Sequence, residues 1–131
     1  MKALPCARFG QDTESYRGEK EMQQVQRVAS VIKLDAAGVE EYERLHANVW
    51  PAVLEKISAC NIRNYSIYRY GLLLFSYFEY VGEDMDSDMA AMGDDQTTQD
   101  WWAVCKPLQR QVDEVEGDEW WHGIPEIFHH D

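Results

Sequence analysis

From about residue 25 the chain alternates apolar and polar positions as a strand does, then shifts to the longer period of a helix. Over VQRVASVIKL, Val28, Ser30, Ile32 and Leu34 alternate with Arg27, Ala29, Val31 and Lys33, which predicts a first strand. Asp35 stands where an N-cap belongs, before AAGVEEYERLHANV. In that stretch Val39, Tyr42, His46 and Val49 form one stripe, while Glu40, Glu41, Glu43 and Arg44 face water. Glu40 and Arg44 have the spacing of an i,i+4 ion pair. Trp50 precedes a proline and is biased away from helical dihedrals, and Pro51 suits the first turn of a second helix, AVLEKISAC.

The runs IRNYSIYRY and LLLFSYFEYV flank Gly71 and predict a tight antiparallel hairpin. Tyr65, Ile67 and Arg69 fall on one face of its first strand; Asn64, Ser66, Tyr68 and Tyr70 fall on the other. Met85, Met89 and Met92 recur at helical spacing and predict a short amphipathic helix. A further helix, QDWWAVCKPLQRQV, follows Thr97 or Thr98 as its cap, with a kink at Pro107. The closing WWHGIPEIFHHD reads as an extended strand anchored by Ile127 and Phe128.

Strand, helix pair, hairpin, helix and terminal strand make the βαββαβ plan of an α+β ferredoxin-like sandwich. Helices then cover one face of a four-stranded antiparallel sheet. An apolar second face needs a partner, and two sheets packed together in a homodimer supply one. Residues 1–24 are polar and unpatterned, so they are expected to form a flexible tail ahead of a single domain over residues 25–131.

Charge narrows the function. Twelve Lys and Arg against twenty-four Asp and Glu leave a net charge of -12, which repels phosphate backbones and anionic lipid alike. Nucleic acid, membrane surfaces and phosphorylated substrates are therefore poor partners. No run approaches the roughly 20 apolar residues of a membrane span, and residues 1–29 lack the apolar core of a signal peptide, so a cytoplasmic location is expected. Cys6, Cys60 and Cys105 are widely spaced and odd in number, which fits reduced structural thiols better than disulfides or a zinc site.

The chemistry concentrates in YERLHANVWP. Tyr42 and His46, four residues apart, project from one helical face into a shared volume that is either packed core or a place where protons are exchanged. Imidazole titrates near neutral pH unaided, so His46 is the leading candidate for acid–base work, although a lone histidine on a helical stripe is more often a packed, hydrogen-bonded residue. Trp101 and Trp102, adjacent on a helix, point about 100° apart; one can be core while the other lines a groove or interface. Strand alternation places Trp120 and Trp121 on opposite sides. For both pairs, packing and ligand binding are comparable readings. His129, His130 and Asp131 are poorly spaced for a metal, and there is no phosphate loop, nucleophile elbow or nucleotide fingerprint.

From about Gln26 to Asp131 the chain resembles the L-rhamnose mutarotase family. The resemblance runs through YERLHANVWP, IRNYSIY, LLFSYFEY, DMAAM, the DWWA element and EGDEWWHGIPEIFHHD. It implies a small dimeric α/β-barrel protein that interconverts the α and β anomers of L-rhamnopyranose at C1 without a cofactor. It further implies His46 as proton donor, Tyr42 and Tyr65 as sugar contacts, and Trp101 and Trp102 as the wall of the sugar site. Opening a pyranose needs a proton delivered to the ring oxygen while another leaves the anomeric hydroxyl, a task for a group poised near neutral pH. Tyr42, Tyr65 or a water is the counterpart of His46. Relatives commonly carry an acid after the Trp-Pro pair, where this chain has Ala52, and the turn at Tyr70 and Gly71 is shorter than usual. The alternative from another class is a non-catalytic sugar-binding or dimeric interaction module; a cofactor-free oxygenase on the same sandwich has only the fold in its favour.

Overall fold

The computed structural model describes residues 24–131 of the chain. Strand β1 (Gln26–Leu34) leads through a 3-10 turn (Ala36–Gly38) into helices α1 (Val39–His46) and α2 (Pro51–Ala59). Strands β2 (Ile62–Tyr70) and β3 (Leu73–Tyr80) follow, then α3 (Met85–Gly93) and α4 (Gln96–Cys105). A second 3-10 turn (Lys106–Leu108) and two short strands, β4 (Gln109–Arg110) and β5 (His122–Ile124), complete the order. The tail expected over residues 1–24 falls, apart from Gln24, outside the described residues, as does Cys6.

The sheet runs β2-β3-β1-β4 with every neighbouring pair antiparallel, the ferredoxin-like order. Its fourth strand is broken in two. β4 pairs with Lys33 and Leu34, while β5 pairs farther along the same edge of β1, with Ala29, Ser30 and Val31. Residues 111–121 leave the sheet between these two anchor points. The terminal strand predicted for WWHGIPEIFHHD is thus only three residues long, and Ile127 and Phe128 are 94% and 80% exposed instead of anchoring it. Pro125, lacking a backbone N–H, stops the ladder just after Ile124.

Other departures are local. The helix expected to run through Pro107 ends at Cys105, because Pro107 has no N–H to continue the ladder and instead sits in the 3-10 turn. Its cap is Asp95, not Thr97 or Thr98; the carboxylate accepts from the backbone N–H of Thr98 at 3.0 Å and from its hydroxyl at 2.8 Å. Asp35 makes no capping hydrogen bond and pairs with Arg110 across β1 and β4. Arg44 pairs with Glu41, one turn earlier at i,i+3, in place of Glu40.

Gly71 begins the two-residue hairpin loop with φ of +61°, which a side chain would resist. Farther along the hairpin, pairing steps from Arg63 opposite Glu79 to Ser66 opposite Tyr77, one extra residue on β2. This bulge, centred on Asn64 at φ +50°, restores Tyr65 to the same side of the sheet as Ile62. Tyr65 then meets Phe78, ring centroids 5.6 Å apart, and Arg69 reaches Glu43 on α1. The face predicted for Tyr65, Ile67 and Arg69 is therefore the helix-covered one.

The core lies between that face and the helices: Ile32, Leu34 and Leu74 from the sheet meet Tyr42 and Leu45 of α1, Val53 of α2, and Trp101 and Cys105 of α4. A smaller cluster joins Cys60, Ile62 and Met92, with Met89 packed against it, so two of the three methionines of the α3 stripe face the interior. Among the described residues no helix is long and apolar enough to cross a membrane.

Candidate active site

His46 is the last residue of α1, and its Nδ1 lies 2.9 Å from the backbone carbonyl of Tyr42 one turn earlier. A carbonyl only accepts, so neutral His46 carries its proton on Nδ1, leaving Nε2 as the basic nitrogen. The imidazole stacks on the Tyr42 ring at 4.1 Å between centroids, and it meets Trp101 in a T-shaped contact at 5.3 Å. Trp50, at the bend before Pro51, meets Trp101 in turn at 5.1 Å. Burial lowers the His46 pKa, and the bond to the Tyr42 carbonyl only partly offsets this, so the ring is neutral at pH 7.

Behind this pair runs a chain of polar contacts that the sequence did not single out. The Trp120 indole N–H donates to Gln109 Oε1 at 2.6 Å, and Gln109 Nε2 donates to the Tyr42 hydroxyl at 3.1 Å. Gln109 is 8% exposed and Tyr42 3% exposed. Desolvation drives the Tyr42 phenol well above its ordinary pKa, and it stays protonated. The Tyr65 phenol is raised as well, again chiefly by desolvation.

These groups border one cavity of about 750 Å³, within the range of roughly 300 to 1,000 Å³ usual for small-molecule sites. Tyr42, His46, Tyr65, Trp101 and Trp102 all line it, so the structure brings every predicted site residue to a single space. Trp101 is buried in the core against His46, whereas Trp102 is partly exposed on the cavity wall. Lys106 spans the gap from Trp102 to Trp120, its ammonium 5.7 Å and 5.5 Å from the two ring centroids.

Trp120 and Trp121 both line this cavity instead of facing opposite ways, because they sit in the bend before β5, where strand alternation does not apply. Cys105 borders it too, but burial raises its thiol to about 11, so it is no nucleophile at neutral pH. His129 lies elsewhere, against Arg27, Tyr77 and Glu126 around a smaller hollow of about 240 Å³. Among the described residues the main cavity's lining holds no Asp or Glu, and its charged side chains are Arg63 and Lys106. Ala52 is exposed on the first turn of α2 and is not part of the lining.

Aromatic rings, a neutral imidazole and the Tyr42–Gln109 pair thus gather around one cavity in a domain of ferredoxin-like order. The family model for L-rhamnose mutarotase matches residues 27–130, and the chain belongs to that family. The L-rhamnose mutarotase of Shouchella clausii is 30% identical over 108 residues, covering 79% of this chain and 96% of that protein. That of Bacillus subtilis is 31% identical over 88 residues, 66% of this chain and 82% of that protein. Among solved structures, L-rhamnose mutarotase FA22100 from Formosa agariphila superposes with a TM-score of 0.61 at 19% identity, covering 81% of this chain and 99% of that one. Tetracenomycin F2 cyclase from Streptomyces glaucescens shares the fold at a TM-score of 0.54 and 16% identity, over 80% of this chain and 95% of that one.

Proposed function

We propose that this protein is an L-rhamnose mutarotase in which His46 performs the proton transfers that open and reclose the pyranose ring. The supporting observation is the tethered imidazole: with Nδ1 held by the Tyr42 carbonyl, Nε2 is the nitrogen left for a ligand in the cavity. Neutral His46 takes the proton of the C1 hydroxyl at Nε2. The bond from C1 to the ring oxygen breaks, C1 becomes a carbonyl, and the ring oxygen is protonated. Both oxygens are bonded to C1, so the imidazolium formed at one lies within reach of the other and returns the proton there. After rotation about the C1–C2 bond, closure on the opposite face reverses these steps.

Tyr42 and Tyr65 serve the sugar hydroxyls, and Trp101 and Trp102 wall the ring. Val49, Val53, Ile57 and Phe78 add apolar lining, which suits the methyl group of a 6-deoxy sugar better than a further hydroxyl. The unpaired thiols of Cys60 and Cys105 support a reducing, cytoplasmic setting. The second sheet face, on which Tyr68, Tyr70 and Phe75 are exposed among the described residues, supports a homodimer joined there.

The test is NMR saturation transfer between the two anomers of L-rhamnose. His46→Ala should cost about 10² to 10⁴ in rate while leaving sugar binding measurable. Wild-type protein that binds L-rhamnose without accelerating exchange would instead make this a sugar-binding module.

A further inference from the structure

Gln109 and Trp120 stand one step back from the reacting groups, and the direction of their hydrogen bonds is set by chemistry. An indole nitrogen donates and never accepts, so the amide atom 2.6 Å from Trp120 Nε1 is the Gln109 oxygen. The Gln109 NH₂ group must then face Tyr42, 3.1 Å away, and the phenol oxygen accepts. The single phenolic proton cannot also point at Gln109, whose NH₂ already fills that side.

We propose that Gln109, locked by Trp120, is a positioning residue that makes the Tyr42 hydroxyl a dedicated hydrogen-bond donor to a sugar oxygen at C1. The inference rests on the mutarotase reading. Its geometry places donor and base together: Tyr42 is stacked on His46 at 4.1 Å, and both line the cavity. The reacting sugar oxygens O1 and O5 share one carbon, so the imidazole works on one while the phenol steadies charge developing on the other. Tyr42 transfers no proton. A donor already aimed before the sugar arrives needs no reorganisation when that charge develops.

The backbone explains why Gln109 can hold this position. It opens β4, opposite Leu34 of β1, and so hangs from the central strand of the sheet. Trp120 lies just before β5, which is pinned to the same strand at Ala29, Ser30 and Val31. The two ends of the excursion over residues 111–121 thus carry the two halves of the relay.

Three variants read the relay through anomer exchange measured across sugar concentrations. Gln109→Met keeps the bulk and removes both hydrogen bonds; kcat should fall about tenfold with KM little changed. Gln109→Glu, when ionised, accepts from both neighbours and turns the phenolic proton away from the sugar, so its kcat should fall further. In a Tyr42→Phe background Gln109→Met should cost less than about twofold more, since there is no hydroxyl left to aim. A loss of the same size in both backgrounds, or kcat unchanged in Gln109→Met, overturns the relay.

The Trp120 indole proton resonance supplies a readout independent of turnover. It should move upfield in Gln109→Met while the melting temperature stays within a few degrees; an unmoved resonance also overturns the relay. Wild-type protein inactive on L-rhamnose would overturn the mutarotase reading and this use of Tyr42 together. An active wild type indifferent to Gln109 would overturn the relay alone.

Discussion

At the scale of single residues, the proposed chemistry depends on an imidazole dry enough to be neutral and yet on the wall of a cavity. Burial lowers the His46 pKa from the ordinary 6.5, so the basic form persists below neutrality. kcat/KM should therefore be flat near pH 7 and fall as pH drops through a single pKa below 6.5, in rates of anomer exchange measured from about pH 4 to 8. The same shift acts on stability. Between the folded pKa and the unfolded value of 6.5 the unfolded chain binds more protons, so the His46 contribution is present above that window and lost as pH falls through it. His122 runs the other way: its hydrogen bond to Glu119 raises its pKa, and the stability it adds is lost as pH rises through that raised value.

At the scale of elements, one close approach carries a clear expectation. Gly82 follows β3 where a Cβ would stand 2.4 Å from the Tyr80 hydroxyl and 2.7 Å from Asn61 Nδ2. Tyr80 and Asn61 both donate to the Asp88 carboxylate, which ties the β3 end and the β2 start to α3. Gly82→Ala should destabilise the protein by about 1 to 3 kcal/mol in thermal or urea unfolding, because the added methyl must spread that network. Most elements were legible for reasons of the same local kind. Alternation over residues 26–34 and 62–80, Pro51 at a helix start and Gly71 in a turn depend on neighbours in sequence. What escaped depends on partners far away: Gln109 is a polar residue without a pattern, and only its contacts with Tyr42, 67 positions earlier, and with Trp120 give it meaning. The bulge at Asn64 and the split fourth strand left no trace in periodicity either. His46 and Tyr42 were legible because one helical turn brings them together, whereas their meeting with Tyr65 and Trp101 follows from tertiary packing.

At the scale of the molecule, the sheet has two unlike faces. One is filled by helices and the cavity; the other presents Tyr68 paired across from Phe75 and Tyr70 across from Leu73, with Val31 beside Phe75. Tyr68, Tyr70 and Phe75 are exposed aromatics on this second face, an arrangement that two copies can cover back to back. Sedimentation equilibrium should give twice the chain mass of 15.3 kDa, and Phe75→Asp with Tyr68→Glu should shift the protein to monomer. A wild-type monomer at micromolar concentration would reject that arrangement.

A chain with a surplus of twelve negative charges surrounds a chamber whose walls, among the described residues, include no carboxylate and carry only the cations Arg63 and Lys106. Its cargo, an uncharged monosaccharide, feels no pull or push from that long-range field while diffusing in, and no carboxylate waits inside to be screened. Raising ionic strength from about 0.02 to 0.5 M shortens the Debye length from roughly 20 to 4 Å. The exchange rate should nevertheless change by less than about twofold, which stopped-flow polarimetry at the two salt levels would check.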